Sequence, residues 1–404
     1  MVPFHLFPLS KRERTRTLLV TMGVPREKAE TLTSYLPDCG LRIMGMSRAD
    51  SDAVVKAVIG LGGSGTSVLS VAMPPSRSWD AVCVATYEQF LAFAQSLVSA
   101  HSELTETGGR LVRSLRSWQE PFRNVLDFRG RILRLSEKTL VMGILNATPD
   151  SFYDGGRFPE SAKAVDRVLE MVDQGADIVD IGGESTRPGS DPVDENEEIR
   201  RVLPIFEKLE GRISVPLSID TRKAVVAKAA LEAGASLVND ISGLTFDPRM
   251  AETVSEAGVP VCVMHMRGVP GTMQKKTEYR DLIGEMIVEL TRSLDLAKAA
   301  GIPESRILVD PGIGFAKTAE DNLVVLERLE EFRGLGQPLL VGVSRKSFIG
   351  RVLGVDDPGE RFVGTAAAVV CCVLRGASMV RVHDVKESVQ IVRIADAVHR
   401  SVAN

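Results

Sequence analysis

The chain has 404 residues, 25% of them charged, and a formal net charge of −4. That excludes a single small module and leaves no global positive excess to drive binding to nucleic acid or an anionic membrane. Its 44% hydrophobic residues, 35 Gly and 20 Pro sit near globular averages, so a sizeable core around a small-molecule site is expected rather than disorder or a fibre. Cys39, Cys83, Cys262, Cys371 and Cys372 are spread without a CxxC spacing, which fits a reducing cytoplasm better than a disulfide-stapled secreted domain. The opening MVPFHLFPLSKRERTRT carries its charges after its apolar patch, the reverse of a signal peptide. Its longest apolar stretch, Ala366 to Leu374, is about half of a membrane span. A cytoplasmic protein with no membrane partner is expected.

In chain order, LRIMGM, SVLSVAM and WDAVCVAT read as strands, with SDAVVKAVIGL and TYEQFLAFAQSLVSA as helices, which predicts a small α/β domain over residues 1–120. GLGGSGTS (60–67) lacks the Lys-Ser/Thr ending of a phosphate loop and reads as a turn between helix and strand. Residues 105–135 are Arg-rich without a long apolar run and read as a linker helix and a hairpin, with 121–135 leading into the second domain. From 136 to 404 a short apolar run alternates with a longer amphipathic segment: LVMGIL, DIVDIG, PLSI, SLVND, VPVCVM, ILVD, PLLVGV and MVRV. Eight βα units of this size predict a (β/α)8 TIM barrel, with an open doubly wound sheet as the competitor. Almost every run ends in Asn, Asp, Arg, Lys or His. A ring of polar strand ends favours the barrel, whose strands all open on one mouth.

The first run leads into GILNATPDSFYDGGRF, a long loop over that mouth that includes Asn146; alone, Asn146 reads as a loop cap. IVDIGGESTRPGS carries Thr186 and Arg187, and a lone Arg there would be solvated. Asp220 in PLSIDTRKAV reads equally well as a helix N-cap. Asn239 follows 19 residues later in SLVNDISGL, beside Asp240. For Asp310 in ILVDPGIGFAKT, the following Pro-Gly makes capping a poorer explanation. VGVSRKSFIG brings Arg345, Lys346 and Ser347, and in RVHD the strand alternation sends Arg381 and His383 to one face as two cationic or donor groups.

Together NATPDSF, DIGGESTRPGS, SIDT, VNDISG, MHMRG, DPGIGFAK, GVSRKSFIG and RVHDVKES resemble the dihydropteroate synthase family, pterin-binding TIM barrels of folate biosynthesis, over roughly residues 130–402. The resemblance implies a transferase that joins 6-hydroxymethyl-7,8-dihydropterin diphosphate to 4-aminobenzoate with Mg²⁺ as cofactor. It implies pterin ligands Asp220, Asn239, Asp310 and Lys346, with Met264 and Phe315 as apolar walls. Asn146, Arg381 and His383 would hold the diphosphate, with Asn146 also a metal ligand, and Asn146, Lys346, Arg381 and His383 would form the catalytic set. Phe152, Thr186, Arg187, Pro188 and Ser347 would surround 4-aminobenzoate. It further implies a sulfonamide target and a homodimer paired through carboxyl-terminal helices, for which TAAAVVCCVL (365–374) is a candidate face, although burial inside the barrel shell is the preferred reading of that segment. Ala147, Tyr153, Val269 and Gly271 depart from common family forms without removing a ligand, and residues 1–120 match no family fusion partner by motif.

Two other readings stand beside this one. A pterin-binding methyltransferase acting on methyltetrahydrofolate shares the Asp and Asn ligands but has no diphosphate to hold, so STRPG, SRKS and RVHD speak against it. A non-catalytic pterin-binding barrel predicts damage at Asn146, Lys346, Arg381 or His383, all of which are intact.

Overall fold

The computed structural model describes residues 2–9, 12–33, 39–73, 78–99, 104–119, 125–135, 137–148, 160–186 and 189–401. The chain forms two compact units. One holds residues 1–121 together with 279–292 and 330–337, and the other holds 122–278, 293–329 and 338–404.

The first unit is built on an antiparallel sheet of β1 (Phe4–Pro8), β2 (Cys39–Met46), β3 (Ser64–Leu69) and β4 (Trp79–Ala85), in the order β1-β2-β4-β3. Alternation along the strands divides its core in two. Leu41, Ile43, Ala81 and Cys83 face Val54 and Val58 of α3 (Arg48–Gly60), Phe90 and Phe93 of α4 (Tyr87–Ser99), and Leu111 and Leu115 of α5 (Thr105–Gln119). Phe7, Val82 and Val84 face the opposite way, onto Leu19, Met22, Ala29 and Leu32. The expected strands and helices are present, but only Leu61 to Gly63 of GLGGSGTS form the turn, and β3 starts at Ser64, earlier than the run SVLSVAM, and ends at Leu69. The helix anticipated as a linker is part of this core. The sequence reading missed β1 and the helices α1 (Arg12–Thr21) and α2 (Arg26–Leu32). Arg42, on the α1-side parity of β2, is fully buried with Asp80 at 2.7 Å and Asp281 as ion-pair partners.

The second unit begins with a hairpin of β5 (Val125–Phe128) and β6 (Arg131–Arg134). Eight parallel strands follow: β7 (Leu140–Asn146), β8 (Ile178–Gly182), β9 (Leu217–Asp220), β10 (Leu237–Asp240), β11 (Val261–Met264), β12 (Ile307–Asp310), β13 (Leu340–Val341) and β14 (Met379–Val382). Their order is β12-β11-β10-β9-β8-β7-β14-β13, and a parallel bridge between Val309 and Leu339 closes the ring. This is the TIM barrel expected from the eight apolar runs. PLLVGV yields a short strand because the backbone turns at Ser344–Arg345, where Arg345 adopts φ 57°.

Leu126, Phe128 and Leu135 of the hairpin region join Leu140, Met142, Ile178, Leu237, Cys262, Leu308, Leu340 and Met379 in one buried cluster. Because seven barrel strands each contribute to it, this cluster is the apolar floor of the barrel interior. Helices are fixed by ordinary caps: Asp194 accepts from Asn196 at the start of Glu195–Leu209, and Thr318 forms a capping box with Asp321 before Ala319–Glu327. In the helix Phe362–Leu374, Thr365, Ala368, Val369, Cys372 and Val373 are buried, so much of TAAAVVCCVL belongs to the barrel shell. Among the described residues, no helix is long and apolar enough to cross a membrane.

Candidate active site

The floor cluster fixes which residues form the next layer up. Side chains on a strand alternate, so the residue two positions beyond a floor residue also points inward. From Ile178, Leu237, Cys262, Leu308 and Met379 this parity leads to Asp180, Asn239, Met264, Asp310 and Arg381. Asp220 joins them at the end of β9, opposite Asn239 in the strand register. Asp180, Asp220, Asn239, Asp310 and Arg381 thus put polar groups at one level inside a closed barrel, with Met264 as an apolar member of the same layer. The same parity turns Asp240 away, and it ties its own loop by accepting from Ser242 and Leu244 backbone N–H at 2.8 Å.

Arg381 donates through Nε to Asp180 Oδ2 and through a terminal nitrogen to Asp220 Oδ2, both at 2.6 Å. Asn239 Nδ2 donates to Asp180 Oδ2 at 3.0 Å. The Oδ1 atoms of Asp180 and Asp220 are buried without a hydrogen-bond partner, leaving acceptors inside the cavity that a ligand's donors can satisfy. Asp310 accepts from the backbone of Gly312 at 2.7 Å. Gly312 has φ 68°, and a Cβ there would lie 2.1 Å from the carbonyl oxygen of His265, so the Asp-Pro-Gly turn behind this carboxylate requires glycine.

Lys346 places its ammonium 4.3 Å from the ring centroid of Phe315, a cation–π contact. Phe315 packs with Ile241, Met264 and Met273, and its loop is tied down by Lys317, whose Nζ lies 3.0 Å from the carbonyl oxygens of Gly312 and Phe315 and from His265 Nδ1. Arg345, beside Lys346, is held in its left-handed conformation by a two-point pair with Asp384, at 3.1 and 2.5 Å.

Burial pushes the Asp220 carboxyl up to about 7, Arg381 pulling it down and Asp180 pushing it up. It pushes Asp310 up to about 6, against the Gly312 hydrogen bond and Lys346, and it lowers Lys346 to about 8. Burial also opposes the charge of Arg381, yet Asp180 and Asp220 raise its pKa above the usual value. A reaction that needs both carboxylates ionised and the ammonium protonated is therefore confined to a window. The rate should fall as pH drops below about 7 and again as it rises past about 8, with limbs that belong to the cluster as a whole. Measurement of kcat/KM against pH checks this; a flat profile from about pH 5 to about pH 9 contradicts it.

His383 differs from the cationic reading. Burial first, then the guanidinium groups of Arg381 and Arg345, pull it down to about 3, so it is neutral at physiological pH. Ser344 Oγ accepts the His383 backbone N–H at 3.2 Å and lies 2.9 Å from Nδ1. In the tautomer in which Ser344 Oγ donates to Nδ1, the ring proton sits on Nε2 and His383 offers an uncharged donor.

Asn146 is half-buried at the end of β7, paired in register with Gly182. Thr186 is half-buried and Ser347 is exposed at the first turn of the helix Ser347–Leu353. Phe152, Arg187 and Pro188 lie outside the described residues.

Two features escaped the sequence reading. Asp180, inside the apolar run IVDIG, has the same parity as Asp220 and Asp310, and that alternation was its available signal. Glu184 pairs with Arg222 at 2.8 Å and Lys223 at 2.5 Å. Against burial, which raises it, these two cations hold the Glu184 carboxyl below its ordinary value.

The sequence profile described as pterin binding enzyme matches residues 142–383, more than half of the chain. A dihydropteroate synthase from Synechocystis is 50% identical over 264 residues, covering 65% of this chain and 91% of the relative. The structure of the Xanthomonas albilineans dihydropteroate synthase with 4-aminobenzoic acid is 42% identical, with a TM-score of 0.65 over 68% of this chain and 98% of that one. The same protein in complex with 7,8-dihydropteroate gives 40% identity and a TM-score of 0.62 over the same shares of the two chains. The polar belt at the level above the barrel floor and the extent of these matches lead to one assignment: the chain belongs to the dihydropteroate synthases of the pterin binding enzyme family.

Proposed function

We infer that the chain condenses 6-hydroxymethyl-7,8-dihydropterin diphosphate with 4-aminobenzoate, giving 7,8-dihydropteroate and pyrophosphate for folate biosynthesis in the cytoplasm. The observation that carries this reading is the convergence of Asp220, Asn239 and Asp310 at one level of a closed barrel, with an unpartnered acceptor at Asp220 Oδ1 and with the Lys346 ammonium feeling the charges of Asp310 and Asp220. A pterin edge presents amino and ring N–H donors beside a carbonyl. Two acceptor-only carboxylates, an amide of both kinds and an ammonium complement it. Met264 and Phe315 supply apolar surface for the ring faces.

Arg381 and His383 are assigned to the diphosphate, the first as a charged donor and the second as a neutral one. In this assignment the diphosphate competes with Asp180 and Asp220 for the Arg381 guanidinium, which frees Asp220 for the pterin. Stabilising the negative charge on the departing pyrophosphate is the main electrostatic task. The C–O bond to the exocyclic methylene breaks first, and the neutral aryl amine then attacks that carbon and loses a proton. The reading places Phe152, Thr186, Arg187, Pro188 and Ser347 around 4-aminobenzoate, where they would help exclude water from the cation.

Mg²⁺ suits this arrangement as an ion held mainly by phosphate oxygens and water. Asn146 offers one neutral oxygen, and no group of three or more His, Cys, Asp or Glu side chains that could hold a metal occurs among the described residues. When bound, the ion supplies positive charge at the leaving group. A homodimer is supported by exposed apolar side chains on the carboxyl-terminal helices: Val352 and Leu353 on Ser347–Leu353, Val363 on Phe362–Leu374, and Ile394 and Val398 on Val385–Ser401. Purified protein given the pterin diphosphate, 4-aminobenzoate and Mg²⁺ should release pyrophosphate. No release with any divalent metal overturns the reading.

A further inference from the structure

One buried carboxylate oxygen holds two groups assigned to opposite ends of the substrate. Asp180 Oδ2 accepts from Asn239 Nδ2, a pterin ligand, at 3.0 Å and from Arg381 Nε, a diphosphate ligand, at 2.6 Å. The Asp180 side chain is fully buried, so water does not compete effectively for these bonds. Arg381 reaches on to Asp220 at 2.6 Å, and the four side chains form one hydrogen-bonded row inside the barrel. A carboxylate offers acceptors only. The Asn239 amide must therefore turn Nδ2 towards Asp180, since the flipped amide would bring two oxygens together, and its Oδ1 is left to accept a ligand's N–H. Arg381 has five N–H donors, more than Asp180 and Asp220 use, so donors remain for an anion. Asp180 also acts through its charge. Burial, with Asp180 and Glu198, raises the Asp220 carboxyl to about 7 against Arg381 and Lys346. By contrast, the groups acting on Asp310 are Gly312, Lys346, Lys317 and Arg381, and those acting on Lys346 are Asp310, Arg381 and Asp220.

We propose that Asp180 is a positioning residue for the pterin diphosphate: through one buried oxygen it fixes the orientation of the Asn239 amide and the place of the Arg381 guanidinium, so that both ends of the substrate meet ligands already set. This rests on the function inferred above. Groups held in place before binding do not have to be ordered at the substrate's expense. An amide at position 180 can pair with either orientation of Asn239, so it would leave that choice open.

The test is steady-state kinetics of Asp180→Asn in the full-length protein, with both substrates varied and repeated across pH. The isosteric change leaves Arg381 paired with Asp220, so no buried charge loses its partner and the fold should persist. The kcat/KM for the pterin diphosphate should fall about tenfold or more, while KM for 4-aminobenzoate stays within about twofold. The acid limb of the pH profile should move down from about 7 towards about 6, as Asp220 loses a like charge and Asp310 becomes the limiting carboxyl. The alkaline limb at about 8 should hold, because Asp180 is not among the groups that set Lys346. A residue that only supported the fold would lower activity without moving one limb alone. Asp180→Ser, smaller and also uncharged, is the second variant and should show the same one-sided shift. Combined with Asn239→Ala, Asp180→Asn should cost less than the product of the two single losses, since part of its effect acts through Asn239. An unchanged kcat/KM for the pterin diphosphate, an acid limb that stays in place in both variants, or losses that multiply overturn the proposal. A wild-type protein without pyrophosphate release overturns instead the function on which it rests.

Discussion

Lys346→Ala should lower kcat/KM by about a hundred- to a thousandfold while the barrel stays folded, the range for removing one buried charged donor from a reacting site. The side chain is not a helix cap: Lys346 occupies the N-cap position of Ser347–Leu353, but its ammonium makes no capping bond and turns to the Phe315 ring. There it faces Asp310 and Asp220, whose charges favour its protonated form, while burial lowers it to about 8. Its loss acts twice. The carbonyl of a bound pterin loses its donor, and Asp310, already pushed by burial to about 6, loses a cation that favours its ionised form. A more protonated Asp310 presents a donor where an acceptor is needed. The fold should tolerate the change because a carboxyl group without its cation can take up a proton. Kinetics together with far-UV circular dichroism check the prediction, and turnover within about threefold of wild type removes Lys346 from the site.

What the sequence reveals of this site follows strand parity. Asp220, Asn239 and Asp310 close short apolar runs, and the barrel brings such ends together, so their convergence is legible once eight runs are counted. Arg381 and His383 share a face, as alternation requires, yet the charge of His383 is not legible: it depends on burial and on two guanidinium groups, one from another βα unit. Asp180 was overlooked because it stands inside its apolar run, where an isolated polar residue looks like an interruption. Counting two residues on from Ile178 identifies it. The ion pair of Lys223 with Glu184 spans 39 positions, and the adjacency of β8 and β9 brings the two residues together.

The first unit shows the limit from the other side. β1 is five residues ending in proline, and the helix Arg12–Thr21 is RERTRTLLVT, so neither displays enough periodicity to be read. The membership of residues 279–292 and 330–337 in that unit had no local signal, because those segments carry ordinary amphipathic patterns of a βα repeat. Their partners lie far off in sequence: Arg42 pairs with Asp281, and His5 Nε2 lies 2.5 Å from Glu331 Oε2.

Arg381→Gln should abolish measurable turnover and also destabilise the protein, by about 3–5 kcal/mol near neutral pH, because it leaves a buried ion cluster without its cation. Arg381 is bound at 2.6 Å to both Asp180 and Asp220, and each of those carboxylates already has one oxygen without a partner. A neutral amide can donate to one of them but cannot balance the charge. The sign of the pH effect follows from Asp220. Burial has pushed it up to about 7 even with Arg381 present, and without the guanidinium it moves higher still. A carboxyl whose folded pKa exceeds its unfolded value favours the fold below the unfolded pKa and loses that contribution as pH rises through the folded one. The deficit of Arg381→Gln should therefore be largest near about pH 8 and shrink towards about pH 5, where Asp220 is protonated. Adding Asp180→Asn removes a second buried charge, so the double variant should recover stability while remaining inactive. Urea unfolding of both variants at the two pH values checks this. A deficit that does not depend on pH, or a double variant no more stable than the single one, would mean that Arg381 is not the counter-charge of this pair.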